Sequence, residues 1–332
     1  MLNARSTNEG APQDSAPSEA EYPRRTALPE DEGEVVLSYR RIGHLPAFDV
    51  FIDGKGPFRF VFDTGSAGSL AIDMALANEL GLEVVGETPV GDPSGENVQM
   101  WKQARVRRLE LGGVTFDDFV ADVSPGALPH SLSEARGILG IGLFRDCLVT
   151  LDLPFGELRM SKGELPGPNG RDVVAFTMDD GVPTIALEID STSVRAHIDS
   201  GSGAGFLLPA DVVAGLPFAS QPRSIGRART LMNEFEIREV ALKGTLRIGG
   251  HEYLGAVVQF ASVFPVANIG IRVLSQYSLT FDVRNLRARF ERTADPSSKG
   301  RRRTTDDTII VPPRRERPNP GEPVVSEKSN PQ

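Results

Sequence analysis

Two aspartates that end apolar stretches are the side chains of this 332-residue sequence best suited to chemistry. Residues 60–66 read FVFDTGS and residues 196–202 read AHIDSGS. Asp63 and Asp199 therefore each follow a strand-like run and precede a small hydroxyl residue and a glycine, a pattern that predicts a carboxyl delivered on a tight turn. Two carboxyls that share one proton can act together on a water molecule as general base and general acid.

This chemistry requires one of the two carboxyls to be ionised and the other to be protonated. Two carboxylates about 3 Å apart, at an effective dielectric constant of about 20, repel each other by roughly 5 kcal/mol. The pair is therefore expected to hold one proton at moderately acidic pH and to titrate as a unit. No metal and no cofactor are predicted, because the histidines are scattered without ligand spacing, at His44, His130, His197 and His251.

The elements that must position the two aspartates can be predicted from the flanking sequence. Before Asp63, residues 46–54 alternate between apolar and polar positions up to a glycine turn, which predicts the first arm of a hairpin. After it, residues 71–82 are good helix formers with Gly81 as a C-terminal cap, which predicts a helix. The polar residues 86–98 predict a hairpin tip that folds over a cleft.

The second half of the sequence repeats these patterns in the same order. Residues 183–191 match residues 46–54 at an offset of 137, and residues 268–271 match residues 138–141 at an offset of 130. A repeat of this length indicates duplication, so we expect two similar β lobes with a shared interface.

Composition divides the chain into five parts. Both ends are rich in Pro, Ser and charged residues, which is typical of disordered segments, and a Pro- and Gly-containing stretch lies between the repeats. The predicted parts are a disordered N-terminal segment (residues 1–34), a first lobe (35–162), a linker (163–171), a second lobe (172–294) and a disordered tail (295–332).

Overall composition excludes several classes of protein. The 34 glycines and 25 prolines favour a turn-rich β protein, and a formal charge of −9 argues against a nucleic-acid binder. No stretch approaches the roughly 18 apolar residues of a membrane span. As written, the N-terminus lacks the apolar region of a signal peptide, which predicts a cytoplasmic location if the start is correct and a periplasmic or secreted one if a leader is missing.

Taken together, the motifs resemble those of the aspartic protease superfamily, and more specifically of bacterial retropepsin-like proteins with two fused repeats. The resemblance is carried by DTGS at residues 63–66 with ILG at 138–140, and by DSGS at 199–202 with NIG at 268–270. It covers about residues 35–293 and implies a mainly β fold, with two pseudo-symmetric aspartic-protease-like β lobes (the acid protease fold) and short helices. Asn268 departs from the family pattern, which has an apolar residue at that position.

The resemblance also implies which residues act. Asp63 and Asp199 would form the catalytic pair. The hydroxyls of Thr64 and Ser200 would cross-link the two loops behind the carboxyls.

The remaining loop residues would support the pair. Gly65 and Gly201 would let the backbone approach closely and bring N–H groups to the carboxyls. Ser66 and Ser202 would hydrogen-bond the outer carboxyl oxygens.

These observations predict an aspartic endopeptidase that hydrolyses a peptide or protein substrate in an extended conformation. We expect a monomer that binds no nucleic acid. Two alternatives stay open: a homodimeric protease that pairs Asp63 of two chains, and a non-catalytic peptide-binding protein of the same fold.

Overall fold

The computed structural model describes residues 19–30, 33–91, 98–126, 132–229, 234–292 and 308–310. The described chain is mainly β, with a few short helices, as the sequence predicts.

The strands of the first half are β1 Arg25–Ala27, β2 Glu34–Ser38, β3 Arg40–Ile42, β4 Leu45–Ile52, β5 Lys55–Asp63, β6 Leu70–Asp73, β7 Val84–Val90, β8 Gln99–Leu111, β9 Val114–Ser124, β10 Gly137–Gly140, β11 Leu148–Asp152 and β12 Glu157–Ser161. Helix α1 Met74–Leu80 follows β6, and 3-10 turns occupy Glu19–Glu21 and Ile141–Phe144.

The strands of the second half are β13 Val173–Ala175, β14 Thr177–Asp179, β15 Val182–Ile189, β16 Thr192–Ile198, β17 Phe206–Pro209, β18 Arg223–Arg229, β19 Glu234–Ala241, β20 Thr245–Ile248, β21 His251–Leu254, β22 Val257–Ala261, β23 Ala267–Ile269, β24 Tyr277–Asp282, β25 Arg287–Arg292 and β26 Thr308–Ile310. Helix α2 Ala210–Ala214 follows β17, and α3 Ile271–Leu274 follows β23.

Two of the three sheets that the described residues form have matching strand order. The first runs β9-β6-β10-β5-β4-β8 and the second β22-β17-β23-β16-β15-β20, each with further strands at its ends. Parallel pairs occur at the same places in both sheets: β5 with β10 and β16 with β23, then β6 with β9 and β17 with β22. The strands that end at Asp63 and just before Asp199 therefore hold equivalent central positions.

The third sheet joins the two halves. Its order is β13-β25-β24-β11-β12-β2, so β2, β11 and β12 come from the first half and β13, β24 and β25 from the second. At its centre β11 pairs antiparallel with β24, with Thr150 opposite Thr280 and their hydroxyl oxygens 2.8 Å apart. The hydrophobic core is continuous with this sheet, since Leu151 and Phe281 are both fully buried in one cluster with side chains of both halves.

The helix after the first aspartate loop is shorter than the sequence suggests. The prediction placed a helix over residues 71–82, whereas residues 70–73 form strand β6 and the helix begins at Met74. The side chain of Asp73 accepts a hydrogen bond from Leu76 N at 2.5 Å and so fixes the start of the helix. Gly81 ends the helix with a φ of 69°, as predicted.

Part of the N-terminal segment that was expected to be disordered is structured. Strand β1 pairs with β9, and Leu28 is buried. Arg145 forms an ion pair with Glu19 and lies 4.5 Å from the ring centroid of Tyr22. These contacts depend on a strand edge and an arginine from distant parts of the chain, which local composition does not reveal.

The other predicted boundaries fall partly outside the described residues. Residues 163–171, expected to link the lobes, lie between β12 and β13. Within the expected tail, β26 pairs with β21. The predicted hairpin tip at residues 86–98 belongs to the β7–β8 hairpin, and residues 92–97 lie outside the described part of the chain.

Candidate active site

The aspartate loops form where each central strand ends beside a glycine. Asp63 lies opposite Gly140 in the parallel pair β5–β10, and Asp199 N donates to Ile269 O at 3.1 Å beside Gly270. In both loops the following serine closes a turn onto its aspartate, with N–O distances of 3.3 Å for Ser66 N to Asp63 O and for Ser202 N to Asp199 O.

Glycine is required where each strand passes the loop. A Cβ atom built on Gly140 would lie 2.9 Å from Ser66 O and overlap Gly68 O. A Cβ on Gly270 would lie 2.8 Å from Ser202 O and 2.5 Å from Ala204 O. Real Cβ atoms do not come this close to backbone oxygens, so the glycine of each ILG or NIG motif allows the loop to pack on the strand.

Thr64 and Ser200 cross-link the two loops. Thr64 Oγ1 donates to Ile198 O at 2.8 Å and accepts from Ser200 N at 2.9 Å, while Thr64 N donates to Ser200 Oγ at 3.0 Å. Both residues are fully buried, so these bonds do not compete with water. The loops are therefore held in a fixed relation.

The two carboxyls meet across this cross-link. A Cβ built on Gly65 would overlap the Asp199 carboxyl, with its carbon 2.5 Å away, and a Cβ on Gly201 would lie 2.6 Å from the Asp63 carboxyl carbon. Each carboxyl therefore rests on the glycine of the opposite loop. Any side chain at either glycine would push the two aspartates apart.

Asp63 accepts hydrogen bonds from the backbone of both loops. Gly65 N donates to Asp63 Oδ1 at 2.8 Å, and the N–H of Gly201 also bonds to this carboxyl. Burial and then the negative charge of Asp199 raise the pKa of Asp63 to about 7, against the opposite effect of these N–H groups. The pair therefore retains a proton at mildly acidic pH.

Asp199 is held differently. Ser202 N donates to Asp199 Oδ1 at 3.0 Å, and the side-chain amide of Asn268 donates from Nδ2 to Oδ2 at 2.5 Å. The hydroxyl of Ser202 was expected to bond the outer oxygen of a carboxyl. In the structure Ser202 instead donates from its backbone N–H, and its Oγ accepts a hydrogen bond from Ala204 N at 3.3 Å.

Sequence reasoning missed two contacts with this site. Asn268 was visible as a departure from the apolar pattern, but its hydrogen bond to Asp199 was not. His44 Nε2 donates to Gly201 O at 2.7 Å, so the turn before β4 contacts the second loop. No sequence signal identified His44, because the contact joins residues 157 positions apart.

The described part of the chain shows no cluster of three or more His, Cys, Asp or Glu side chains suited to a metal ion. None of its helices has the length and hydrophobicity needed to cross a bilayer.

Comparison with known families agrees with this geometry. Residues 48–143 match the model of a family described as aspartyl protease. The matched stretch includes the Asp63 loop and Gly140 and covers under a third of the chain. It supports an aspartyl protease family, and with it a peptide-hydrolysing class of enzyme. No curated protein matches the chain.

Proposed function

We propose that this protein is an aspartic endopeptidase in which Asp63 and Asp199 form one catalytic pair within a single chain. The observation that carries the proposal is the reciprocal packing of each carboxyl on the glycine of the opposite loop, which brings two half-buried carboxyls together beside the fully buried Thr64–Ser200 cross-link. The family match over residues 48–143 supports the same class of reaction.

The reaction follows from a pair that holds one proton. The ionised carboxyl takes a proton from water as the water oxygen bonds to the peptide carbonyl carbon, and the protonated carboxyl gives its proton to the carbonyl oxygen. The resulting diol collapses when the C–N bond breaks. The nitrogen then takes the proton gained from water, and a diol hydroxyl returns one to the other carboxyl, so both aspartates regain their starting states.

The substrate that fits this proposal is a peptide or protein segment in an extended conformation, held by strand-like backbone pairing. The family match supports a peptide substrate in general. We propose a monomer as the active form, because both carboxyls come from one chain.

The test is cleavage of a mixed peptide library by the purified protein between about pH 3.5 and 7, where one proton remains on the pair. Asp63→Asn and Asp199→Asn are each expected to reduce cleavage by at least about a thousandfold, since either change removes the acid–base pair. Asp211→Asn, an exposed aspartate on α2, is the matched control and should retain activity.

Each other result selects an alternative. Full activity in Asp199→Asn with loss in Asp63→Asn would indicate a homodimer that pairs Asp63 of two chains. No cleavage by a folded parent protein, together with peptide binding, would indicate a non-catalytic peptide-binding protein.

A further inference from the structure

The two carboxyls of the pair have different hydrogen-bond partners. Asp63 accepts from backbone N–H groups, whereas Asp199 accepts one backbone N–H and one side-chain amide, that of Asn268 at 2.5 Å. Asp63 thus has two backbone donors, Gly65 N and Gly201 N, whereas Asp199 has one backbone donor and the side-chain amide of Asn268, the one side-chain amide among these described donors.

The position of Asn268 has an exact counterpart in the first half. Asn268 pairs with His197 in β16–β23, and Ile138 pairs with Val61 in β5–β10. Ile138 packs on a small apolar cluster around Val61 and has no group that could donate to Asp63. The sequence thus places a hydrogen-bond donor beside one aspartate and a hydrocarbon beside the other.

The amide favours the charged form of Asp199. Its NH₂ group can only donate, so it stabilises a carboxylate more than a carboxylic acid. The reversed amide would place Oδ1 against the carboxyl oxygen and repel it when ionised. In the observed orientation, Asn268 Oδ1 is buried without a hydrogen-bond partner among the described residues, which costs free energy. The same orientation directs Nδ2 toward Asp199.

Other charged groups around Asp199 do not provide this asymmetry. The titratable side chains on the described elements around Asp199 include Asp63, His44, His197 and Arg272, and also Asp179, Asp180 and Arg195, whose charges act on His197. Burial lowers the pKa of His197, so its ring is neutral near pH 7. His44 donates to Gly201 O and not to a carboxyl, and Arg272 contacts the loop through its backbone N–H to Ala204 O at 3.1 Å.

We propose that Asn268 is a positioning residue that keeps the negative charge of the resting pair on Asp199 and the shared proton on Asp63. This inference rests on the proposed function for its catalytic meaning. Asp199 then accepts the proton of the attacking water, and Asp63 protonates the carbonyl oxygen. The raised pKa of Asp63 agrees with this distribution.

The proposal is tested first without turnover. In protein labelled with ¹³C at aspartate carboxyls, Asp63→Asn and Asp199→Asn identify the two signals. In the parent protein, the Asp63 signal should report the later of the two deprotonations of the pair. Asn268→Ile, which installs the residue of the first half, should move the first of the two deprotonations of the pair upward by about one pH unit, because one charge-assisted hydrogen bond is lost.

The pH dependence of kcat provides a second readout. In Asn268→Ile the acid limb should shift upward by about one pH unit while the alkaline limb stays in place, because Asn268 bonds the ionised Asp199 both before and after the second proton leaves. Ile138→Asn is the matched variant: a donor beside Asp63 should move the alkaline limb to lower pH. Asn268→Leu repeats the measurement if Asn268→Ile does not fold.

A uniform fall in kcat at every pH, with unchanged carboxyl titrations, would overturn the proposal and leave Asn268 a purely structural residue. A parent protein that titrates as expected but cleaves nothing would refute the protease proposal and retain the assignment of the charge. The two failures are therefore distinguishable.

Discussion

At the scale of single residues, the side chain of Thr64 holds the two aspartate loops together. One hydroxyl serves both as donor to Ile198 O and as acceptor from Ser200 N, with no exposure to solvent. Removing it leaves a buried C=O and a buried N–H without partners, and each orphaned group costs roughly 1–3 kcal/mol.

We therefore expect Thr64→Val to lower the free energy of unfolding by about 2–6 kcal/mol. Thr64→Ser keeps the hydroxyl and loses one methyl group, so its loss should be near 1 kcal/mol. Urea unfolding of the parent and both variants measures the difference. Equal losses in the two variants would show that packing of the methyl group, and not the hydroxyl, holds the loops.

The raised pKa of the half-buried Asp63 carboxyl also predicts how stability depends on pH. The native state keeps this proton up to about pH 7, whereas an unfolded aspartate releases it near pH 4. Between these values the native state binds more protons, so the free energy of unfolding should fall as pH rises. Asp122, whose pKa burial raises to about 6, contributes with the same sign.

The measurement is urea unfolding at several pH values between about 4.5 and 7.5. Asp63→Asn should remove the larger part of the pH dependence, and Asp122→Asn a separate part that ends near pH 6. An Asp63→Asn variant whose stability depends on pH in the same way as that of the parent protein would contradict the assignment of the proton to the native pair.

At the scale of elements, the contact between strand β10 and the first loop sets the position of Asp63. We expect Gly140→Ala to destabilise the protein by roughly 1–3 kcal/mol and to reduce any peptide cleavage, since a methyl group there would press on backbone oxygens of the loop. Gly167→Ala is the control, because a Cβ at Gly167 meets nothing within 4 Å. Equal unfolding midpoints for the two variants would refute the close-contact argument.

The sequence predicted the strands and helix ends well where a regular pattern of apolar residues or a capping glycine determines them. The alternation before Asp63 predicted strands β4 and β5, and Gly81 predicted the end of α1. The start of α1 was misplaced because residues 71–73 are compatible with a helix, and pairing of β6 with β10 and with β9 makes them a strand. Tertiary partners override local propensity at such boundaries.

Within the site, the chain positions of the two loops were readable, and the resemblance implied the Thr64–Ser200 cross-link, but the contacts of Asn268 and His44 with the second loop were not readable. Asn268 bonds Asp199 across a parallel strand pair, and His44 reaches Gly201 from the other half. Contacts of this kind depend on register and on how two lobes meet, which a single sequence does not encode in any local pattern.

At the scale of the whole molecule, the six-stranded sheet makes the two halves interdependent. Strand β11 lies between β12 of its own half and β24 of the other, so neither half can complete this sheet alone. The N-terminal residues 19–30 add to the first half through β1 and the Glu19–Arg145 ion pair. The carboxyl pair is therefore a property of the assembled chain and not of either loop.

The shared sheet also determines how late in biosynthesis the two halves can be joined. Asp63 leaves the ribosome long before β25, the last strand of the sheet, which ends at Arg292. At about 5–20 residues per second, the intervening chain takes roughly 10–50 s to be made. Asp199 is made within that interval, but the sheet that joins the two halves stays incomplete until β25 has been synthesised, so the two aspartate loops are not held by the complete sheet until translation is nearly finished.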